Sequence, residues 1–316
     1  MKIQLVTPAP LNLNNGNKIT AVRWAGIFKK LGHRVHVTQN YDGKPCDVLI
    51  ALHARRSADS IRRFHELHPD LPLIVVLTGT DIYRDIRRDL NAQRSLEMAS
   101  RLVVLQKMAL REIPKPLRRK TRVIYQSAEP IRARRSRANG IFDVCVVGHL
   151  RGEKDSLRAA MAVRDLPAQS RIQVTHIGLA LDPQLEKKAK QEIRRNPRYR
   201  WIGHLSHGKT RQRLARSDLV CITSKMEGSS NVLSEALASG VPVVTSHIPG
   251  LIGTLGKNFN GFFPVGDTEK LSRLFLRAEN DADFYRSLQR HCRRLAPLVK
   301  PKREMAEWRR LLQELT

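Results

Sequence analysis

The chain has 316 residues, 41% of them hydrophobic, enough for one large or two medium domains with sizeable cores. It carries 57 Lys and Arg against 29 Asp and Glu, a net charge of +28 that favours anionic partners: nucleic acid, an acidic membrane surface or phosphorylated small molecules. Aromatic residues are only 5% and do not interleave with the basic runs, and no zinc-finger, RNA-recognition or helix-turn-helix pattern occurs, which argues against nucleic acid. No apolar run is long enough to span a membrane, and the first eight residues read as a short strand rather than a signal peptide. Cys46, Cys145, Cys221 and Cys292 match no zinc or redox spacing and read as reduced thiols, so a cytoplasmic protein is expected.

In chain order, Lys2 to Thr7 reads as a strand, followed by a loop, Pro8 to Asn17, that holds Asn14, Asn15 and Gly16. Ile19 to Leu31 is a helix stopped at Gly32, and Val35 to Thr38 and Val48 to Leu52 are strands. His53-Ala-Arg-Arg-Ser57 then leads into a helix ending near Leu67. Leu73 to Leu77 is a continuous apolar strand ending in Thr78-Gly-Thr-Asp81, and Leu102 to Leu105 and Val123 to Tyr125 continue the series. Repeated strand–helix units with apolar strands predict a parallel sheet covered on both faces, with ligands beyond the carboxyl ends of the strands.

Glu129 to Gly140 is rich in arginine and poor in apolar residues, and reads as a linker. The alternation restarts with a strand at Phe142 to Val147, a loop at Gly148 to Asp155 and a helix to Arg164. Ile172 to Ile177 is a strand, Gln184 to Arg194 a helix, Trp201-Ile202 a short strand, and Leu219 to Thr223 another. Met305 to Leu315 reads as a helix with Trp308, Leu311, Leu312 and Leu315 on one face. The expected organisation is α/β with two Rossmann-like domains, at 1–130 and 141–302, a linker at 131–140, and a C-terminal helix at about 303–316 packing back on the first domain.

Chemistry concentrates in Glu227-Gly-Ser-Ser-Asn-Val-Leu-Ser-Glu235-Ala-Leu-Ala-Ser-Gly240-Val-Pro-Val-Val-Thr245. It predicts a loop with N-cap residue types at Ser229, Ser230 and Asn231, a helix, a glycine stop and a buried strand. Free N–H groups and the helix dipole suit a phosphate there, and flanking carboxylates suit sugar or ribose hydroxyls. The plainer alternative is a capped helix whose glutamates merely suit its dipole. In the loop Gly148-His-Leu-Arg-Gly-Glu-Lys154-Asp155, Arg151 and Lys154 are placed to neutralise charge on a diphosphate leaving group, against the plainer alternative of surface charge.

The other loops on the same edge are less decisive. Asn14 to Asn17 is either an ordinary turn or an anion contact. His53 is either a satisfied histidine at a strand end or a ligand contact. Asp81 either caps a helix beginning near Ile82 or orients a sugar hydroxyl. Of Arg55 and Arg56 only one is expected to reach ligand, and Gln126 and Ser127 carry no assigned chemistry. His204 and His207, two residues apart with no third ligand, do not make a metal site.

The second half of the chain resembles the retaining, nucleotide-sugar-dependent glycosyltransferases of the glycogen-synthase-like type, which have GT-B architecture with two Rossmann-like domains facing across a cleft. Their Glu, seven residues, Glu motif matches Glu227 and Glu235, and their Gly-Arg-Leu, three residues, Lys loop matches Gly148, Leu150 and Lys154. The resemblance implies that Glu227 faces donor sugar hydroxyls and Glu235 the ribose. It implies that Gly228, Ser229, Ser230, Asn231 and Val232 hold the diphosphate, that Lys154 assists departure of uridine diphosphate, and that no metal is required. His149 stands where the family has arginine, with Arg151 as a candidate substitute, and a glutamate frequent in the family falls near Gly253.

The loops Asn14 to Asn17, Leu52 to Ser57, Leu77-Thr-Gly-Thr-Asp-Ile-Tyr-Arg-Asp85, Tyr125-Gln-Ser-Ala128 and Val147 to Asp155 together resemble the selenosugar synthases of selenoneine biosynthesis. That resemblance implies attack by the selenium of selenophosphate on the anomeric carbon of a UDP-sugar, with UDP-N-acetylglucosamine the expected donor, to give a 1-selenosugar. Gly16, Asn17, His53, Arg55, Arg56, Thr80 and Asp81 are the candidate acceptor residues. It also implies a functional link to other selenoneine-pathway enzymes and no stable membrane association. The alternative is transfer to a lipid-linked or envelope glycan; a nucleic-acid-binding protein would leave the paired glutamates unexplained.

Overall fold

The computed structural model describes residues 1–8, 16–133 and 140–315. The chain divides into two compact units. The first comprises Met1–Gln126, Glu227–Asn231 and Pro301–Thr316, and the second Ser127–Met226 and Val232–Lys300. The division falls at Gln126, a little before the expected linker, whose residues Arg134 to Asn139 lie outside the described residues.

The first unit is built on β1 (Lys2–Val6), β2 (Arg34–Thr38), β3 (Val48–Leu52), β4 (Leu73–Leu77), β5 (Arg101–Val104) and β6 (Thr121–Val123). All pairings are parallel, in the order β2-β1-β3-β4-β5-β6. Every residue of β3 and β4 is buried, as expected of strands covered on both faces. The two-residue period of a strand divides their side chains between two cores. Leu49, Ala51, Leu73, Val75 and Leu77 meet Ile61 and Phe64 of helix Ala58–Leu67. Val48, Ile50, Leu52, Ile74 and Val76 meet Trp24 and Phe28 of helix Gly16–Lys30, together with Trp308, Leu311 and Leu312 of helix Pro301–Gln313. Trp308 stands edge-on to Trp24 and Phe28, with ring centroids 4.8 and 5.0 Å away. Beside them the buried Glu304 accepts from Trp24 Nε1 at 2.6 Å and from Arg23 Nε at 3.0 Å.

The second unit has β7 (Phe142–Val147), β8 (Ile172–Ile177), β9 (Tyr199–Trp201), β10 (Leu219–Ile222), β11 (Val243–Ser246) and β12 (Phe262–Phe263), again all parallel, in the order β12-β11-β10-β7-β8-β9. The helix Asn231–Ala238 buries Leu233, Ala236 and Leu237. Gly240, at φ +68°, ends it: Gly240 N–H donates to Leu237 O at 3.2 Å and Val241 N–H to Ala236 O at 2.9 Å. This is the Schellman pattern, which satisfies two end carbonyls and needs a left-handed residue. Pro242 lies just before β11, where its missing N–H removes no ladder bond.

Two helix readings change. The helix expected from Asp155 to Arg164 is a short helix, Arg158–Ala162, preceded by a 3-10 turn at Gly152–Lys154, because Asp155 adopts a left-handed conformation (φ +45°) between them. The helix expected from Ile19 starts at Gly16, so Gly16 and Asn17 belong to its first turn rather than to a loop; Asn14 and Asn15 lie outside the described residues. Among the described residues no helix is long and apolar enough to cross a membrane.

Candidate active site

In the second sheet the strand order reverses around β7, which has β8 on one side and β10 on the other. Loops leaving the carboxyl ends of strands at such a point form the usual ligand position of an open α/β sheet. The loop after β7 is fixed mainly through its backbone. Leu150 N–H donates to Leu179 O at 2.8 Å, and Leu181 N–H to Leu150 O at 3.1 Å. The buried Ser156 hydroxyl lies within 3.3 Å of the carbonyls of His149 and Arg151 and of the Arg151 N–H. Thr223 Oγ1 donates to the Lys154 carbonyl at 2.8 Å, and Lys225 N–H to the Glu153 carbonyl at 2.8 Å, which ties the cationic loop to the end of β10. Arg151 is exposed and Lys154 half-buried.

A buried histidine supports this loop from below. His176 Nε2 lies 2.9 Å from Gly148 O, and Nδ1 2.9 Å from the Tyr199 hydroxyl. A carbonyl only accepts, so the proton is on Nε2 and Nδ1 accepts from Tyr199. Burial pushes His176 down to about 4, with nearby His149 lowering it further and the Gly148 bond opposing, so the ring is neutral near pH 7. Gly178 lies against the same carbonyl: a Cβ there would stand 2.0 Å from Gly148 O. His149, expected to meet the donor, accepts the Leu179 N–H on Nδ1 at 3.0 Å, so one of its ring nitrogens serves the backbone.

Glu235 is 6% exposed. Its Oε1 accepts from His207 Nε2 at 2.7 Å, and Arg211 Nε lies 3.9 Å away. Both come from helix His207–Arg216, whose N-cap Ser206 accepts from Lys209 N–H at 3.4 Å. The spacing from His204 argues against His207 as a metal ligand; its partner is a carboxylate 28 residues further on, which no local pattern reveals.

In the first unit the loops after β3 and β4 share one polar network. Asp81 is fully buried and accepts from Gly79 N–H at 2.7 Å, Thr78 N–H at 3.0 Å and Ala54 N–H at 3.1 Å. This corrects the cap reading of Asp81: the following helix starts at Thr80, before it, and the carboxylate instead braces the backbone of two loops.

His53 is 3% exposed and has a left-handed backbone (φ +73°), unusual for a side chain with a Cβ. Its Nδ1 accepts from Arg56 N–H at 3.3 Å, which places the proton of the neutral ring on Nε2, 2.9 Å from Thr80 Oγ1. Burial lowers the His53 pKa more than Asp81 and Asp85 raise it, so the ring is neutral. Thr80 therefore accepts from His53 and keeps its own hydroxyl proton for another acceptor. Both ring nitrogens of His53 are thus engaged within the protein.

Arg55 donates from Nε to Asp85 Oδ2 at 2.9 Å, whereas Arg56 is exposed with no side-chain hydrogen bond or ion pair among the described residues. Gln126 Nε2 donates to Thr20 Oγ1 at 2.7 Å, a structural bond.

The stretch from Glu227 onward is partitioned: Glu227–Asn231 groups with the first unit and Val232 with the second. Glu227 and Ser229 are half-buried, and Gly228 and Ser230 are buried. A Cβ on Gly228 would stand 2.4 Å from Thr78 O. The Asn231 side chain accepts from Arg23 Nη1 at 2.9 Å and donates to Gly16 O at 3.3 Å, bonds that do not involve its backbone N–H. Among the described residues no three His, Cys, Asp or Glu side chains cluster to hold a metal ion.

Residues 128–295 match the model of the family "Glycosyl transferases group 1". A 125-residue stretch is 32% identical to a glycogen synthase of Mycobacterium tuberculosis, covering 39% of this chain and 30% of that protein. Among solved structures, HepE of Anabaena in complex with UDP superposes with a TM-score of 0.78 at 18% identity over 100% of both chains. Sucrose-phosphate synthase of Thermosynechococcus elongatus does so with a TM-score of 0.78 at 16% identity, covering 99% of this chain and 98% of that one. At these identities the structural likeness is one of fold, and the fold is GT-B. The family match takes in more than half of the sequence, including the Gly148 to Asp155 loop and both Glu227 and Glu235: the chain belongs to the group 1 glycosyl transferases.

Proposed function

We propose that the protein is a selenosugar synthase that transfers a sugar, N-acetylglucosamine in our reading, from its UDP conjugate to the selenium of selenophosphate. The observation that carries the donor half is the buried Glu235 carboxylate, aligned by His207 and Arg211. A carboxylate held in this way accepts hydroxyl protons well and suits the ribose of the nucleotide. HepE, which shares the fold, binds UDP and UDP-glucose. Lys154 and Arg151, on a loop fixed by its backbone, are assigned to the charge that develops on the departing diphosphate. Glu227 is assigned to the donor sugar hydroxyls.

The acceptor half rests on the resemblance of the first-unit loops and on their chemistry: exposed guanidinium groups at Arg55 and Arg56, and a Thr80 hydroxyl whose proton is free to donate. Selenium in selenophosphate is already anionic and soft, so attack needs no dedicated protein base. In the reaction a selenium–carbon bond forms at the anomeric carbon as the bond to the UDP oxygen breaks. Water then cleaves the selenium–phosphorus bond, giving the 1-selenosugar and phosphate. The reading is of a small-molecule acceptor, and a functional link to other selenoneine-pathway enzymes follows from the product.

The test is incubation with UDP-N-acetylglucosamine and selenophosphate, thiophosphate or no acceptor, following UDP by coupled assay and product by mass. UDP release should depend on the chalcogen phosphate. Glu235→Ala should raise the donor KM, and Lys154→Ala should mainly lower kcat. Release of UDP at the same rate without selenophosphate, or with no selenosugar formed, overturns the reading.

A further inference from the structure

The segment Arg84-Asp85 follows directly on the Thr80–Tyr83 helix. Asp85 is 5% exposed and receives two guanidinium groups, one on each oxygen. Arg55 Nε is 2.9 Å from Oδ2, and Arg84 Nε is 2.9 Å from Oδ1. Burial alone would raise the Asp85 pKa, but the hydrogen bonds from Arg84 and Arg55 outweigh it and hold the carboxyl below its ordinary value, so the bridge is ionised. His53 Nε2 lies 3.9 Å from the Oδ2 side.

The bridge is made through the Nε atoms. The outer Nη groups of both arginines make no hydrogen bond or ion pair among the described residues, and the two side chains are 40% and 41% exposed. One buried carboxylate thus holds two cations side by side and neutralises only one of them. Guanidinium N–H groups suit the oxygens of a tetrahedral oxyanion, and an anion shared by two arginines held on one carboxylate relieves their mutual repulsion.

We propose that Arg55 and Arg84, aligned by Asp85, form a subsite for a phosphate-type oxyanion. Arg84 and Arg55 bind the anion directly; Asp85 is a positioning residue. Under the reading of the acceptor as selenophosphate, this subsite takes its phosphoryl oxygens, so the identity of the ligand rests on that reading while the existence of the anion site does not.

The experiment measures binding of inorganic phosphate and thiophosphate to the full chain by calorimetry, alongside the KM for selenophosphate. Arg84→Ala should weaken phosphate binding by about tenfold or more, the loss expected for a charge-assisted contact. Arg84→Lys should recover part of it, because a point charge replaces a fork. Asp85→Asn should also weaken binding although it makes the protein more positive, an outcome that a purely electrostatic surface would reverse. Arg88→Ala, an exposed neighbour, controls for net charge and should leave the affinity unchanged.

Equal losses in Arg84→Ala and Arg88→Ala, tighter binding in Asp85→Asn, or no phosphate binding by the wild type overturn the site. Phosphate binding that depends on Arg84 with no selenosugar made overturns only the acceptor assignment. Selenosugar formed by Arg84→Ala with an unchanged selenophosphate KM overturns only the subsite.

Discussion

Replacing Asp81 by alanine tests whether one carboxylate organises the loops after β3 and β4. Asp81 is 0% exposed and bonds the amides of Ala54, Thr78 and Gly79, so it joins the loop after β3 to the loop after β4. Hydrogen bonds to an ionised group contribute about 1.5–3 kcal/mol each, and an orphaned buried donor keeps its desolvation cost. Ala54 is fully buried and cannot turn to water, whereas Thr78 and Gly79 are half-buried and regain part of their hydration. We expect a loss of roughly 4 kcal/mol in the stability of the first unit, at the upper end for a single substitution.

The readout is urea denaturation followed by tryptophan fluorescence in a Trp201→Phe background. Emission then comes from Trp24 and Trp308, both buried in the first unit. The acceptor KM should rise in parallel, because His53 and Thr80 lose their frame. A variant within about 1 kcal/mol of its parent, with an unchanged acceptor KM, would refute the argument.

Two other outcomes follow from the second unit. His207→Ala should raise the donor KM by about two- to tenfold through loss of one hydrogen bond to Glu235, with kcat nearly unchanged. The effect should vanish in a Glu235→Ala background, and a full additional loss there would show that His207 acts elsewhere. The buried neutral His176 makes stability pH-dependent: its pKa falls from 6.5 to about 4 on folding, so the unfolded chain binds the extra proton between those values. Its contribution, about 3 kcal/mol, is complete above pH 6.5 and disappears as pH falls to about 4. His176→Asn should flatten this part of the stability profile of the second unit, and an unchanged slope would show that the ring is not buried neutral.

The alternation of apolar-rich strands with amphipathic helices was legible in the residues alone, and with it two parallel sheets covered on both faces. So was the Gly240 stop, because a left-handed residue after Leu237 and Ala238 is a local requirement that glycine meets without strain. The loops carrying Lys154, Arg55 and Thr80 were legible for the same reason: each follows an apolar strand, and the carboxyl ends of parallel strands share one edge.

What those side chains touch depends on how distant elements pack. Asp81 meets the Ala54 amide because β3 and β4 are neighbours in register, and that bond makes it a brace between loops. His207 meets Glu235 across 28 residues, and Arg55 meets Asp85 across 30, distances at which chain periodicity carries no information. The physical reason is that a helix or strand is specified by its own backbone and side-chain period, whereas a buried carboxylate is satisfied by whichever donors the packing of other elements brings within 3 Å or so.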